Sequence, residues 1–253
     1  MDRATQLELN AINRRFYAAI APEWSDKRKR PWPGWARVLS RLRELRPAAE
    51  SGTLRVLDLG CGDGRLAAYL SDHVPQLDYL GVDVSAPLLE RARARAPQQR
   101  FLEADFLSTP LAALSGAGAH DLVCVFGVLH HVPGYAQRLQ LLRELAALLD
   151  ARALLALTVW RLDEDARFAS RRVRFEDYNR SAAQPIALDQ LEPGDTLLRW
   201  GSGDAPPRYC HFPDRSELDA LIGASELREL ERFRADGHGD RMNEYVLLTT
   251  PHT

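Results

Sequence analysis

The chain of 253 residues has little cysteine: Cys61, Cys124 and Cys210, with no paired spacing. That argues against a disulfide framework and against a cysteine zinc site. It has no apolar run of the length a bilayer span needs, so no membrane partner is expected. Its first residues, MDRATQLELNAINRRF, lack the apolar centre of a secretory signal, and the chain reads as cytoplasmic. It also lacks an excess of either charge. The 33 Lys and Arg stand against 35 Asp and Glu, a net charge of -2. That excludes a basic nucleic-acid binder as a whole, with no DNA partner expected, and leaves only local patches. There is no internal repeat, no catalytic triad and no metal cluster. What is present is a 45% hydrophobic chain, enough for one substantial core.

Apolar runs alternate with helical patterns. Residues 4–20 carry Leu7, Ile12, Phe16, Tyr17 and Ile20 at loosely helical spacing, and Arg37 to Leu45 reads as a second helix ended by Pro47. LRVLDLG, LDYLGVDVS, QRFLEADF, HDLVCVFGVL and ARALLALTVW read as strands. RLAAYLSDHV, APLLERARARA and YAQRLQLLRELAALL read as the helices between them. This rhythm predicts βαβ units and a doubly wound α/β sheet. From Arg161 to about Pro207 it fails, in a stretch too long for an ordinary connection. Order returns with RYCHF, then DRSELDALIGA, where Asp214 stands three residues before Glu217 as in a capping box. ELRELERFRA and NEYVLLTT read as a closing hairpin.

The chemistry starts at VLDLGCGDGR, between a strand and a helix. Gly60, Gly62 and Gly64 permit a sharp turn and close approach to a ligand. A dinucleotide loop would place its third glycine one position later and would not need Asp58. A Walker loop would end in Gly-Lys-Ser/Thr, which is absent. An acidic strand end with this tighter glycine pattern suits a cofactor bearing an ammonium group, with Asp58 acting on its amino acid end. Asp83 is placed to accept ribose hydroxyls, and Asp105 an adenine amine, with Val84 or Phe106 against the ring. The alternatives are a plain strand-to-helix turn and single helix-capping aspartates.

These motifs, from Leu54 to Trp160, resemble class I S-adenosylmethionine-dependent methyltransferases. The resemblance implies S-adenosyl-L-methionine as cofactor and a Rossmann-like fold: a mainly parallel seven-stranded sheet with helices on both faces. It also adds Cys61 and Phe126 to the cofactor-binding set. FGVLHHVP places His130 and His131 near the methyl acceptor, with His131 the nearer to the cofactor. The parts expected are an N-terminal helical cap (1–50), a cofactor-binding core (51–160), a substrate-facing insertion (161–207) and a C-terminal completion of the sheet (208–253).

Two further segments, FYAAIAPEWSDKRKRPWPGW and PGDTLLRWGSGDAPPRYCHF, are similar to the tRNA wobble-uridine carboxymethyl methyltransferases. That family's run is matched by Tyr17, Ser25, Arg28, Pro31, Trp32 and Pro33, then by the His130–His131 pair, then by Gly194, Asp195, Trp200, Arg208, Tyr209 and His211. Cys210 and Arg199 depart from it. The resemblance implies esterification of the carboxylate of 5-carboxymethyluridine in the tRNA anticodon loop. It implies catalytic roles for Arg28, His131 and Tyr17, and substrate contacts by Arg28, Trp32, His130, Trp200, Arg208, Tyr209 and His211. The eukaryotic members work with a small zinc-binding activator protein. A carboxylate is already a nucleophile at neutral pH, so no general base is required.

Cations beside aromatics suit RNA phosphates and unpaired bases. Lys27 to Arg30 with Trp32 and Trp35 form one such cluster, and Arg167, Arg171, Arg172 and Arg174 with Phe175 and Tyr178 a second. In the second, nearby Asp163, Glu164, Asp165, Glu176 and Asp177 stand ready to neutralise the arginines. Two rival readings stay open: methylation of a small-molecule carboxylate or hydroxyl, and a non-catalytic RNA-binding protein on a methyltransferase fold.

Overall fold

The apolar runs form a central sheet. The computed structural model describes residues 1–26, 30–46, 52–115, 120–201 and 205–251. Helices α1 (Arg3–Asp26) and α2 (Gly34–Leu45) precede β1 (Leu54–Leu59), α3 (Arg65–His73), β2 (Leu77–Asp83), α4 (Ala86–Arg95) and β3 (Arg100–Glu103). Then come α5 (Leu111–Leu114), β4 (His120–Val125), α6 (Tyr135–Ala146) and β5 (Leu149–Trp160). Short pieces follow: α7 (Ala166–Ala169), β6 (Arg172–Val173), α8 (Phe175–Asn179), β7 (Asp195–Leu198) and β8 (Arg208–His211). The chain closes with α9 (Arg215–Ala224), β9 (Arg228–Ala235) and β10 (Asn243–Thr249).

The central sheet has seven strands in the order β3-β2-β1-β4-β5-β10-β9. The first five run parallel, and β10 lies antiparallel between β5 and β9. The fold is therefore the mainly parallel Rossmann-like sheet expected from the alternation. Strands β4 and β10 are buried along their whole length, as a sheet covered on both faces requires. One face packs Leu57, Val82, Val123 and Leu155 under α6 and α9; the other packs Val56, Tyr79, Leu122 and Leu154 under α2 and α3. Each fully buried aliphatic side chain contributes roughly 1.5–3 kcal/mol.

Helix α1 buries Leu9, Ile12, Phe16 and Ile20, spaced by three or four residues. Leu7, expected on that face, is exposed instead. Helix α2 begins earlier than expected, at Gly34. The Gly34 N–H donates to Asp236 Oδ1 at 3.0 Å, and Asp236 Oδ2 accepts from the Tyr245 hydroxyl and the Asn243 amide. A Cβ on Gly34 would come within 2.4 Å of the Tyr245 ring. This contact pins the PWPG turn onto β10. Pro47, expected to end α2, lies outside the described residues; the helix stops at Leu45.

The stretch from Arg161 carries a second, three-stranded antiparallel sheet, β6-β7-β8. The expected division at residue 208 falls inside it. Arg208–His211 pairs with β7 and not with the central sheet, because the edge of β5 is already occupied by β10. At the start of α9 the Asp214 carboxylate accepts the Glu217 N–H at 2.8 Å. That is half of the expected capping box; the Glu217 side chain turns instead to Arg138 and His211.

Candidate active site

Above the C-terminal ends of the parallel strands, helix α1 and the PWPG turn close a cavity. Its floor is the turn after β1. Gly60, Gly62 and Gly64 all have positive φ, of 73°, 55° and 74°. Only Gly62 has open space where a side chain would stand. A Cβ on Gly60 would meet Val128 at 2.3 Å, and one on Gly64 would meet the Ala92 backbone of α4 at 2.9 Å. Gly64, expected to hold cofactor, thus serves the approach of α3 to α4 and is not among the cavity-lining residues.

Asp58 is buried and accepts the Tyr79 hydroxyl at 2.5 Å. Burial raises its pKa to about 7, the Tyr79 hydrogen bond pulls it down and the Asp83 charge adds to the rise. Among the described residues no cation forms an ion pair with this carboxylate, the Arg65 charge acting only weakly on it, and an ammonium group would supply one. Asp83 is also buried and its pKa is raised by burial, although the N–H groups of Ser85 and Gly62 donate to it at 2.9 and 2.8 Å. Asp105 accepts the Leu107 N–H and pairs with Arg14 of α1 at 3.1 Å. Cys61, Val84, Phe106 and Phe126 line the same cavity. The open cradle at Gly62 and three carboxylates at successive strand ends fit S-adenosylmethionine.

At the other end, Tyr17, Trp24, Trp32, His131 and Trp160 form the wall. His131 Nδ1 lies 2.7 Å from the Tyr209 carbonyl oxygen, and Nε2 lies 2.8 Å from the Tyr17 hydroxyl. Asn13, one turn before Tyr17, accepts the Tyr209 N–H at 2.8 Å. Three elements distant in sequence thereby meet. His130, expected to touch substrate, is fully buried and stacks on Trp160 with ring centroids 3.7 Å apart, so Trp160 stands at the wall in its place. Trp200 lies behind Trp24, at 5.1 Å between centroids.

Arg208 is 2% exposed. Its guanidinium carbon lies 4.5 Å from the Trp160 ring centroid, 5.3 Å from that of Phe16 and 5.5 Å from that of Trp200. Among the described residues no carboxylate pairs with it, whereas the other buried arginines, Arg138 and Arg161, are paired. It therefore stands one aromatic layer behind the wall, not on it.

Tyr209 and His211, expected as substrate contacts, are fully buried and do not line the cavity. The Tyr209 hydroxyl donates to Asp195 at 2.7 Å. His211 bridges Asp195 at 2.8 Å and Glu217 at 2.9 Å, and Arg138 bonds Glu217 and Glu192. Burial opposes charge on the His211 ring, but the two carboxylates outweigh it and raise its pKa. This network clamps the small sheet to α6 and α9. Arg28, with Lys27 and Lys29, lies outside the described residues. In the insertion, Arg167 and Arg174 pair with Asp165 and Glu176, and Arg171 lies over Phe168.

The sequence reading missed Asn10, Asn13 and Arg14 on the cavity side of α1. The signal was there: Asn10, Asn13 and Tyr17 recur at helical spacing, and both asparagines are buried.

The sheet order, the glycine turn and the acidic strand ends are those of the class I S-adenosylmethionine-dependent methyltransferase fold. Residues 57–155 match the family described as "Methyltransferase domain". The chain is 28% identical over 191 residues to "Probable tRNA methyltransferase 9B" of Bos taurus, covering 76% of this chain and 38% of the relative. It is 33% identical over 123 residues to "Trans-aconitate 2-methyltransferase" of Rhodopseudomonas palustris, covering 49% and 45%. It superposes on an S-adenosylmethionine-dependent methyltransferase of Clostridium acetobutylicum with a TM-score of 0.64 at 12% identity, covering 92% and 98%; at that identity the likeness speaks to fold alone. The chain thus carries a methyltransferase domain on the fold of the class I S-adenosylmethionine-dependent methyltransferases and resembles tRNA-modifying relatives. It spans about two fifths of the length of the curated tRNA methyltransferase relatives it matches.

Proposed function

We propose that this chain methylates a carboxylate, that of a 5-carboxymethyluridine-type wobble base in tRNA. The carrying observation is Arg208, a buried guanidinium without a carboxylate partner among the described residues, behind the wall at Trp160. An uncompensated buried charge is costly, and the aromatic cage offsets only part of that cost. Its field, little screened at that depth, favours an anion in the cavity. Relatives named for tRNA and for trans-aconitate, a tricarboxylate, support the reading.

Asp58 would hold the cofactor's ammonium, Asp83 its ribose, and Asp105 with Val84 and Phe106 its adenine. The bound cofactor supplies a methyl group on a sulfonium. The chain's own part is placement and electrostatics. Trp24 and Trp160 exclude water and confine a flat acceptor. Arg208 favours the charged carboxylate, which needs no base. Arg28 is proposed as a further carboxylate contact.

The test is incubation with labelled S-adenosylmethionine and bulk host tRNA, followed by nucleoside analysis. Label in a carboxymethyl ester of uridine supports the proposal. Label confined to small acids would favour the second reading, a small-molecule carboxylate methyltransferase, which the match to the trans-aconitate enzyme supports.

A further inference from the structure

Two side chains of the cavity wall, Trp35 and Arg65, carry donors that the described residues leave unmet. Trp35 is 4% exposed, and its indole N–H has no hydrogen-bond partner among those residues. A buried donor without a partner is costly, so it points to an acceptor that the chain itself does not supply. Arg65 opens α3 directly after the glycine turn, with its side chain 12% exposed. Among the described residues its one carboxylate partner is Asp63, at 3.4 Å, and Asp63 also pairs with Arg95 at 2.6 Å. Two guanidiniums thus share one buried carboxylate, and one positive charge is left over. Arg65 Nε makes no hydrogen bond among the described residues, and Nη1 donates to the Arg30 carbonyl at 3.4 Å. The Arg65 guanidinium carbon lies 5.5 Å from the Trp32 ring centroid and 5.8 Å from that of Trp35. Burial pulls the Arg65 pKa down, as it does for a cation short of a counterion.

We infer that Arg65 and Trp35 together hold the carboxylate at the amino-acid end of the cofactor. This rests on the assignment of Asp58 to the cofactor's ammonium and holds whatever the methyl acceptor is. An α-amino acid carries its ammonium and its carboxylate on one carbon. Asp58 and Arg65 stand at the two ends of the glycine turn, and the Arg65 charge acts on Asp58. One end offers an anion; the other offers a cation and an indole N–H. A zwitterion satisfies both ends at once, with a charge-assisted hydrogen bond at each. Trp35 belongs to α2 and Arg65 to α3. The same carboxylate therefore ties the N-terminal cap to the core. Trp35 follows the basic run in sequence, yet it is turned to the cofactor and not to RNA. Both are binding residues, and no bond to the transferred methyl group is made or broken at either.

The experiment measures binding by calorimetry, with no acceptor present. The ligands are S-adenosylhomocysteine, its analogue lacking only the carboxylate and its analogue lacking only the ammonium. The proteins are the wild-type chain, Arg65→Met and Trp35→Phe, the last of which keeps an aromatic ring and loses the N–H. In the wild type, removal of the carboxylate weakens binding about 10- to 100-fold, as loss of one partner of a buried charged contact should. In Arg65→Met that gap shrinks to less than about threefold, and in Trp35→Phe it narrows about 3- to 10-fold. A wild-type gap below about threefold overturns the inference, and this comparison needs no variant. A full gap that persists in both variants overturns it too, because the carboxylate then lies elsewhere. Removal of the ammonium should weaken binding to all three proteins alike. If that removal costs nothing while the carboxylate gap still closes in Arg65→Met, the Asp58 assignment falls and the roles of Arg65 and Trp35 stand.

Discussion

The Tyr79 hydroxyl stands 2.5 Å from Asp58 Oδ2, reaching it from the neighbouring strand, where Val56 is its register partner. This phenol is the partner that moderates an otherwise desolvated carboxylate. With a pKa of about 7, Asp58 changes charge near neutrality. From about pH 8 to about pH 6 it becomes mostly protonated, and cofactor affinity measured by calorimetry should fall about tenfold. Tyr79→Phe removes an interaction that lowers the pKa, so the midpoint of that fall should move to higher pH. In the cofactor-free protein the sign is opposite. Asp58 has a folded pKa above its ordinary 3.8, so its contribution to stability is present below that value and lost as pH rises through about 7.

Arg208→Met should separate charge from packing. Replacing a buried guanidinium that has no carboxylate partner among the described residues by an apolar chain of similar length is expected to leave the melting temperature unchanged or raise it. KM for a carboxylate acceptor should rise about 10- to 100-fold, while cofactor affinity stays as it was. A collapse of folding, or an unchanged KM, would place Arg208 in a purely structural role.

The glycines should divide by neighbour. Gly62→Ala puts a methyl into open space and costs about 1–2 kcal/mol for its left-handed backbone. The protein should fold, with cofactor binding weakened about tenfold or more, because the cradle is filled. Gly64→Ala drives a methyl against the Ala92 backbone and should destabilise by about 2–4 kcal/mol. Paired thermal melts and cofactor titrations check the contrast.

His211→Gln should lower stability by about 3 kcal/mol, since Asp195 and Glu217 lose the ring that bridges them. The kcat of the folded fraction should hold, because the ring does not reach the cavity. The His211 pKa is raised above 6.5, so its contribution is complete below that value and is lost as pH rises through the folded pKa. The difference in stability between wild type and variant, measured by denaturant titration, should therefore shrink on the alkaline side.

Much of the fold was legible. The strand runs, the helices between them and the glycine turn depend on short-range pattern. Apolar runs such as LLALTVW find a place only inside a sheet covered on both faces. Asp58, Asp83 and Asp105 could be placed because strand ends in such a sheet share one edge. The capping aspartate before α9 was legible for the same local reason.

The acceptor end was not. The family pattern put Arg208, Tyr209 and His211 in one group, yet the three play different parts. Arg208 lies behind Trp160, the Tyr209 backbone holds His131, and His211 clamps the small sheet. The buried Asn10 and Asn13 went unread because their partners lie far along the chain, as Tyr209 does for Asn13. The sequence by itself determined the sheet, the glycine turn and the carboxylates at the strand ends, since hydrophobic period and backbone freedom act over a few residues. Only the tertiary structure decided that Tyr17, His131 and the Tyr209 backbone meet, and that Arg208, buried, has no carboxylate partner among the described residues. Those depend on α1 and the small sheet meeting over the strand ends, and on which groups each meeting leaves paired.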